Sequence, residues 1–93
     1  MDFIKEKNRI YMEEDGKLLA EVVFGSVDKD TVSISKTFVD ESLRGQGIAG
    51  QLLKATYEEI KSQNKKAISA CSYAVKWFDT NKEYRDIIET TGD

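Results

Sequence analysis

The chain concentrates its chemical options at two places. One is Arg44-Gly45-Gln46-Gly47-Ile48-Ala49-Gly50, with three glycines and a cation in seven residues. A strand-like run ends before it at Val39, and a helix-patterned segment follows. A strand, a glycine turn and a helix N-terminus together aim several backbone N–H groups at one anion. The loop is therefore expected to hold a pyrophosphate, that of a coenzyme. It lacks the lysine-serine/threonine ending of a nucleotide P-loop, and its glycine spacing does not match the dinucleotide fingerprint. The plainer alternative is a tight turn, in which Gly45 and Gly47 supply positive φ and Gly50 lets the helix pack closely.

The other place is Cys71, the only cysteine of the chain. A free cysteine is either an inert core residue or a nucleophile with help from its surroundings. The chain has no histidine to give that help. It would have to come from a lysine, a helix N-terminus at residues 72–75, or a carboxylate acting through water. The lack of histidine also removes the usual metal ligand, so no metal is expected. Tyr73, Trp77, Phe78 and Tyr84 read as core and wall, with the Tyr73 and Tyr84 hydroxyls free to orient a ligand. Glu83 and Lys65-Lys66 read as solvated surface. As alternatives, Glu83 is a candidate base and the lysines a contact for an anionic ligand.

The elements that must hold these residues follow from pattern. Asn8 to Glu13 reads as a strand, and Glu14-Asp15-Gly16-Lys17 as a hairpin, because Asp-Gly suits positive φ. Leu18 to Ser26 reads as the returning strand, and Asp28-Lys29-Asp30 as a second turn. Thr31 to Val39 alternates, with Val32, Ile34 and Phe38 on one face and Lys36 an exception on it. Residues 8–39 thus read as a three-stranded antiparallel meander. After the loop, Ile48, Leu52, Ala55, Thr56 and Ile60 recur at helical spacing, widened by Leu53 and Tyr57, which predicts a helix over about 47–63. Asn64-Lys65-Lys66 closes it, with lysines near the negative end of the helix dipole. Ala67 to Cys71 reads as a buried strand, followed by one or two short helices broken near Thr80-Asn81, and a frayed tail from Thr90 to Asp93.

One consequence is geometric. Strand, loop, helix and strand over residues 31–71 form a crossover, so the two strands are parallel. Their C-terminal ends then share one sheet edge, where open α/β sheets bind ligands. The glycine loop leaves one of those ends, and Cys71 sits at the other. The expected fold is α/β (α+β), with the meander followed by a βαβ crossover and short C-terminal helices.

Composition narrows the partners. With 93 residues the chain is expected to be one domain, residues 1–93, with a small core. A net charge of −3 argues against a nucleic-acid partner. No apolar run approaches a membrane span, and Met1 to Lys7 do not form a signal peptide. A lone cysteine suits a reducing cytoplasm, and a monomer is expected.

Arg44-Gly45-Gln46-Gly47-Ile48-Ala49 fits the Gln/Arg-x-x-Gly-x-Gly/Ala signature of the GNAT superfamily of acetyl-CoA-dependent N-acetyltransferases. Val39 to Leu53 resembles that superfamily's coenzyme-binding strand, loop and helix. Cys71 to Phe78, followed by Asn81-Lys82-Glu83-Tyr84, is similar to the small single-domain YjdJ-type branch, which carries Cys-Pro-Tyr and then Lys-His-Pro-Glu-Tyr. The resemblance implies that backbone groups of Arg44, Gly45, Gln46, Gly47, Ile48 and Ala49 hold the coenzyme A pyrophosphate. It also implies that Thr37, Phe38 and Val39 run beside the pantetheine arm, and that Cys71 lies near the acetyl thioester. Among the departures from the branch, Ser72 replaces a proline, Asn81 the histidine, and Lys82 the second proline.

The implied activity is acetyl transfer from acetyl-CoA, as cosubstrate, to an amine acceptor. The amine attacks the thioester directly or takes the acetyl group from Cys71. The alternative is a coenzyme A-binding module or sensor without turnover.

Overall fold

The structure is a computed structural model that describes residues 3–89. A five-stranded sheet is ordered β1-β2-β3-β4-β5, with β1 (Ile4–Glu6), β2 (Arg9–Glu14), β3 (Lys17–Asp28), β4 (Thr31–Val39) and β5 (Lys66–Ser69). The first four strands are antiparallel, and β5 runs parallel to β4. The three predicted meander strands are present, and the predicted α/β crossover joins β4 to β5. One further strand, β1, extends the edge. All three of its residues are exposed, so it carries no alternating pattern to betray it. Asn8 pins its turn by a reciprocal pair of bonds with Phe24, each 2.9 Å long. At the next hairpin Asp15 and Gly16 have φ of 51° and 80°, the mirror-image turn that matches strand twist.

β4 is where the sequence pattern misleads. Phe24 pairs with Ile34 but Val23 pairs with Lys36, so Ser35 is an extra residue, a β-bulge. Beyond it the faces exchange. Thr37 lies opposite buried Val22, and Val39 opposite buried Ala20, so both face the core side. Phe38 lies opposite Glu21 on the outer face, not beside Val32 and Ile34 as strict alternation predicts. Lys36 is an exception for the same reason. It is on the outer face, with Nζ 3.0 Å from Glu21.

Helix α1 (Ile48–Ser62) buries Ile48, Ala49, Leu52, Leu53, Thr56, Tyr57 and Ile60. It ends where Asn64 turns left-handed at φ 56°, which lets the Lys65 N–H return to Ile60 O at 3.2 Å. β5 follows, then α2 (Ser72–Thr80) and a 3-10 segment, Lys82–Ile87. One core cluster joins the sheet to both helices, with Leu52 and Phe78 wholly buried. Each such side chain contributes about 1.5–3 kcal/mol. The predicted tail, Thr90 to Asp93, lies outside the described residues.

Candidate functional site

The site begins where β5 stops following β4. Their pairing ends at Ile34 and Ser69, and the N–H groups of Ala70 and Cys71 both fold back onto Ile34 O, at 3.0 and 3.1 Å. The strand therefore ends two residues earlier than predicted, and it begins one residue earlier, at Lys66. Cys71 is not its last residue but the N-cap of α2. β4 continues through Thr37 and Val39 with β3 on one side only, and a cleft of about 370 Å³ opens beside it. Thr37, Val39, Leu43, Arg44, Gly45, Gly47, Ile48, Ala49 and Tyr73 line it.

The loop across the cleft ends in an uncapped helix N-terminus. A 3-10 turn, Glu41–Leu43, is capped by Asp40, which accepts from Ser42 N–H at 3.1 Å. The hydrogen bonds from the Ser42 hydroxyl and N–H hold the Asp40 carboxyl below its ordinary range. Gly47, the N-cap of α1, has φ 74°, and no side chain caps the helix. The first helical bond runs from Gln51 N–H to Gly47 O at 3.1 Å. The N–H groups of Ile48, Ala49 and Gly50 precede it, so the helix itself supplies them no carbonyl. No acidic residue stands in the first turn of α1, and among the described residues Arg44 is the one charged residue lining the cleft. An anion placed there meets aligned donors, the positive helix end and a guanidinium.

Cys71 is tied to this cleft through one lining residue. Its Sγ lies 3.3 Å from Thr37 Oγ1 and accepts from the Ala74 N–H at 3.4 Å. The sulfur is half-buried and unpaired. Ser69 adds an orphan, since its hydroxyl oxygen is buried with no hydrogen-bond partner.

Of the residues named from sequence, Thr37, Val39, Arg44, Gly45, Gly47, Ile48 and Ala49 line one cleft, and Cys71 touches Thr37. Phe38 turns to the other face of the sheet, and Gln46 is not among the lining residues. Leu43 and Tyr73 are the additions. Leu43 gave no signal. Tyr73 did, as a hydroxyl-bearing ring beside Cys71. Gly50 meets its plainer expectation, because a Cβ there would sit 3.3 Å from Trp77 Nε1. Among the described residues, no group of three His, Cys, Asp or Glu is placed to hold a metal ion.

Known structures share this fold. A GCN5-like protein from Staphylococcus aureus, determined in solution by NMR, superposes with a TM-score of 0.81 at 29% identity, covering 98% of this chain and 90% of its own. An N-acetyltransferase from Staphylococcus aureus Mu50 gives a TM-score of 0.58 at 27% identity, covering 80% of this chain and 50% of its own. A GNAT family acetyltransferase from Elizabethkingia anophelis, solved with acetyl-CoA bound, gives 0.60 at 23% identity, covering 82% and 51%. This chain thus spans about half the length of the last two. No curated protein matches it. The model of the GCN5-related N-acetyl-transferase family matches residues 9–87. The chain belongs to that family.

Proposed function

We propose that this protein binds acetyl-CoA in the cleft between β4 and the glycine loop and transfers the acetyl group to an amine acceptor. The carrying observation is the α1 N-terminus. Its unclaimed N–H groups and Arg44 line a cleft whose wall, Thr37, also contacts the only thiol. The acetyl-CoA bound by the Elizabethkingia neighbour supports the same ligand here as a reading of shared fold. Arg44 and the loop backbone would take the pyrophosphate. The β4 stretch beyond the bulge would take the pantetheine arm.

In this reading Cys71 carries the acetyl group. Its sulfur attacks the thioester carbonyl, the bond from carbonyl carbon to coenzyme sulfur breaks, and coenzyme A leaves with the thiol proton. The amine then attacks acetyl-Cys71. A C–N bond forms, the Cys71 sulfur departs, and the excess amine proton replaces the one it lost. The first half exchanges one thioester for another and is nearly balanced, and the second turns a thioester into an amide, which is downhill. The Thr37 hydroxyl and the Ala74 N–H hold the sulfur in place. The Cys71-Ser72-Tyr73 stretch supports kinship with the YjdJ-type branch. Residues 1–93 act as one monomeric domain in the reducing cytoplasm.

A second reading, a coenzyme A-binding module without turnover, is favoured by one observation. Among the described residues, no carboxylate lines the cleft, and the chain has no histidine to serve as general base. Two measurements decide. Coenzyme A raises the melting temperature under either reading, and its failure to do so overturns both. Intact mass after mixing with acetyl-CoA shows added acetyl on the wild type and none on Cys71→Ala if the thiol is the carrier. An acetylated chain that never passes the group to any of a panel of amines supports the module.

A further inference from the structure

We propose that a second cleft, on the exposed face of α2, seats the acceptor, and that the acceptor is a small amino acid whose amine and carboxylate are several bonds apart. This rests on the acetyl-transfer reading above. The second cleft measures about 210 Å³ and is lined by Tyr73, Lys76, Trp77, Thr80 and Asn81. Tyr73 also lines the first cleft, so the two adjoin at that ring. The thiol stands at the same junction. Cys71 caps α2 and its Sγ accepts from the Ala74 N–H, so the sulfur lies at the turn that carries Tyr73. The second cleft thus begins within one helical turn of the atom that carries the acetyl group.

Charge selects the acceptor. Among the described residues Lys76 is the one charged residue lining the second cleft, and no carboxylate among them pairs with it. Asp79, its helical neighbour three residues on, is held by Arg85 at 2.7 Å instead. A bare ammonium would be repelled by Lys76, whereas a carboxylate on the same molecule gains a charge-assisted hydrogen bond. Asn81 donates to Trp77 O at 2.9 Å, which leaves its Oδ1 as an acceptor. The apolar wall is fixed in advance. The Trp77 ring stacks on Tyr84 at 5.2 Å and 14°, and meets the edge of Phe78 at 5.0 Å. Spacing sets the length. Residues 71 and 76 are five apart, a rise of about 7.5 Å along the helix. An amino acid with about four carbons between its ends covers most of that distance, and the lysine chain, leaning toward the helix N-terminus, covers the rest. The ammonium of the acceptor first gives a proton to water. The neutral amine then attacks the acetyl carbon, the C–N bond forms, the C–S bond to Cys71 breaks, and the surplus amine proton passes to the sulfur.

The whole chain is given acetyl-CoA with 4-aminobutyrate, glycine, butylamine or 1,4-diaminobutane, and the coenzyme A thiol released is followed. 4-Aminobutyrate is expected to be used about tenfold more efficiently than the other three, as for one charge-assisted contact. In Lys76→Arg the preference survives, and in Lys76→Glu it passes to 1,4-diaminobutane. Trp77 is the only tryptophan, so its emission reports on this cleft. 4-Aminobutyrate should shift that emission in the wild type and not in Lys76→Glu. Glycine or butylamine used as well as 4-aminobutyrate, or a preference for 4-aminobutyrate that persists in Lys76→Glu, overturns the assignment and leaves the coenzyme cleft standing. Thermal stabilisation by coenzyme A without thiol release for any of the four amines overturns it too. No stabilisation by coenzyme A overturns the acetyl-transfer reading itself.

Discussion

Thr37 Oγ1 and Cys71 Sγ lie 3.3 Å apart, although 34 residues separate them. The contact exists because a bulge turns Thr37 inward and because β5 stops two residues before Cys71. It joins the strand that borders the cleft to the cap of α2. Thr37→Val keeps the shape but removes the hydroxyl. Its expected effect is slower acetylation of Cys71 by about tenfold, with melting temperature little changed, read by intact mass over time. Cys71→Ser keeps a cap acceptor, whereas Cys71→Ala loses it at about 1 kcal/mol of stability. Both should fail to form a thioester.

Gly47 tests the loop. Its φ of 74° strains any side chain, and it opens the helix whose first residues, Ile48 and Ala49, line the cleft. Gly47→Ala should cost about 1–2 kcal/mol through backbone strain alone and still respond to coenzyme A. Gly47→Glu adds a carboxylate where an anion is expected. Wild type at a hundredfold excess over Kd should gain about 2.7 kcal/mol. The glutamate variant should gain almost none. Equal thermal shifts in the two variants would remove the loop from the site.

Most of the architecture was legible because its signals are local. Asp15-Gly16 marked a turn, and the spacing of Ile48, Leu52, Thr56 and Ile60 marked a helix. The bulge was not legible, since an extra residue at Ser35 leaves no trace in composition. Lys36 was its one clue, a charge interrupting an apolar face. The bulge moved Phe38 off the cleft side and put Thr37 and Val39 on it. Cys71 was placed at the correct sheet edge but on the wrong element. What ended β5 was a backbone acceptor, Ile34 O, that no side-chain pattern encodes. Tyr73 was visible as a residue type, and only its position on the first turn of α2 made it a wall of the cleft.

Glu21 governs the acid limit of the outer face. It is 6% exposed and held by Arg9 and Lys36. Burial pushes its carboxyl up, but the hydrogen bonds from Arg9 and Lys36 outweigh burial and leave it below the ordinary 4.5. A depressed carboxylate stabilises the fold above its unfolded value and loses that contribution as pH falls through the folded one. The wild type should therefore lose stability below about pH 4.5. Glu21→Gln should be about 1.5–3 kcal/mol less stable at neutral pH, with a flatter acid limb. Parallel acid limbs in urea melts from pH 3 to 7 would rule out Glu21 as the source.

Tyr57 ties the back of the aromatic wall to α1. Its hydroxyl donates to Asp86 Oδ1 at 2.8 Å and accepts from Lys61 Nζ at 3.1 Å, while its ring meets the edge of Tyr84 at 4.9 Å. Tyr84 in turn backs Trp77. Asp86, and then Tyr57, hold the Lys61 ammonium up to about 12. That contribution is complete below the ordinary 10.5 and is lost only as pH rises through the folded value. Tyr57→Phe keeps the ring contact and removes both hydrogen bonds of the hydroxyl. It should cost about 1 kcal/mol and leave Trp77 emission unchanged. Tyr57→Ala removes the ring as well, so Tyr84 loses its neighbour and Trp77 its backing. Its emission should then move to longer wavelength, although residue 57 lines neither cleft. An unchanged emission in Tyr57→Ala would show that Trp77 is held by α2 alone.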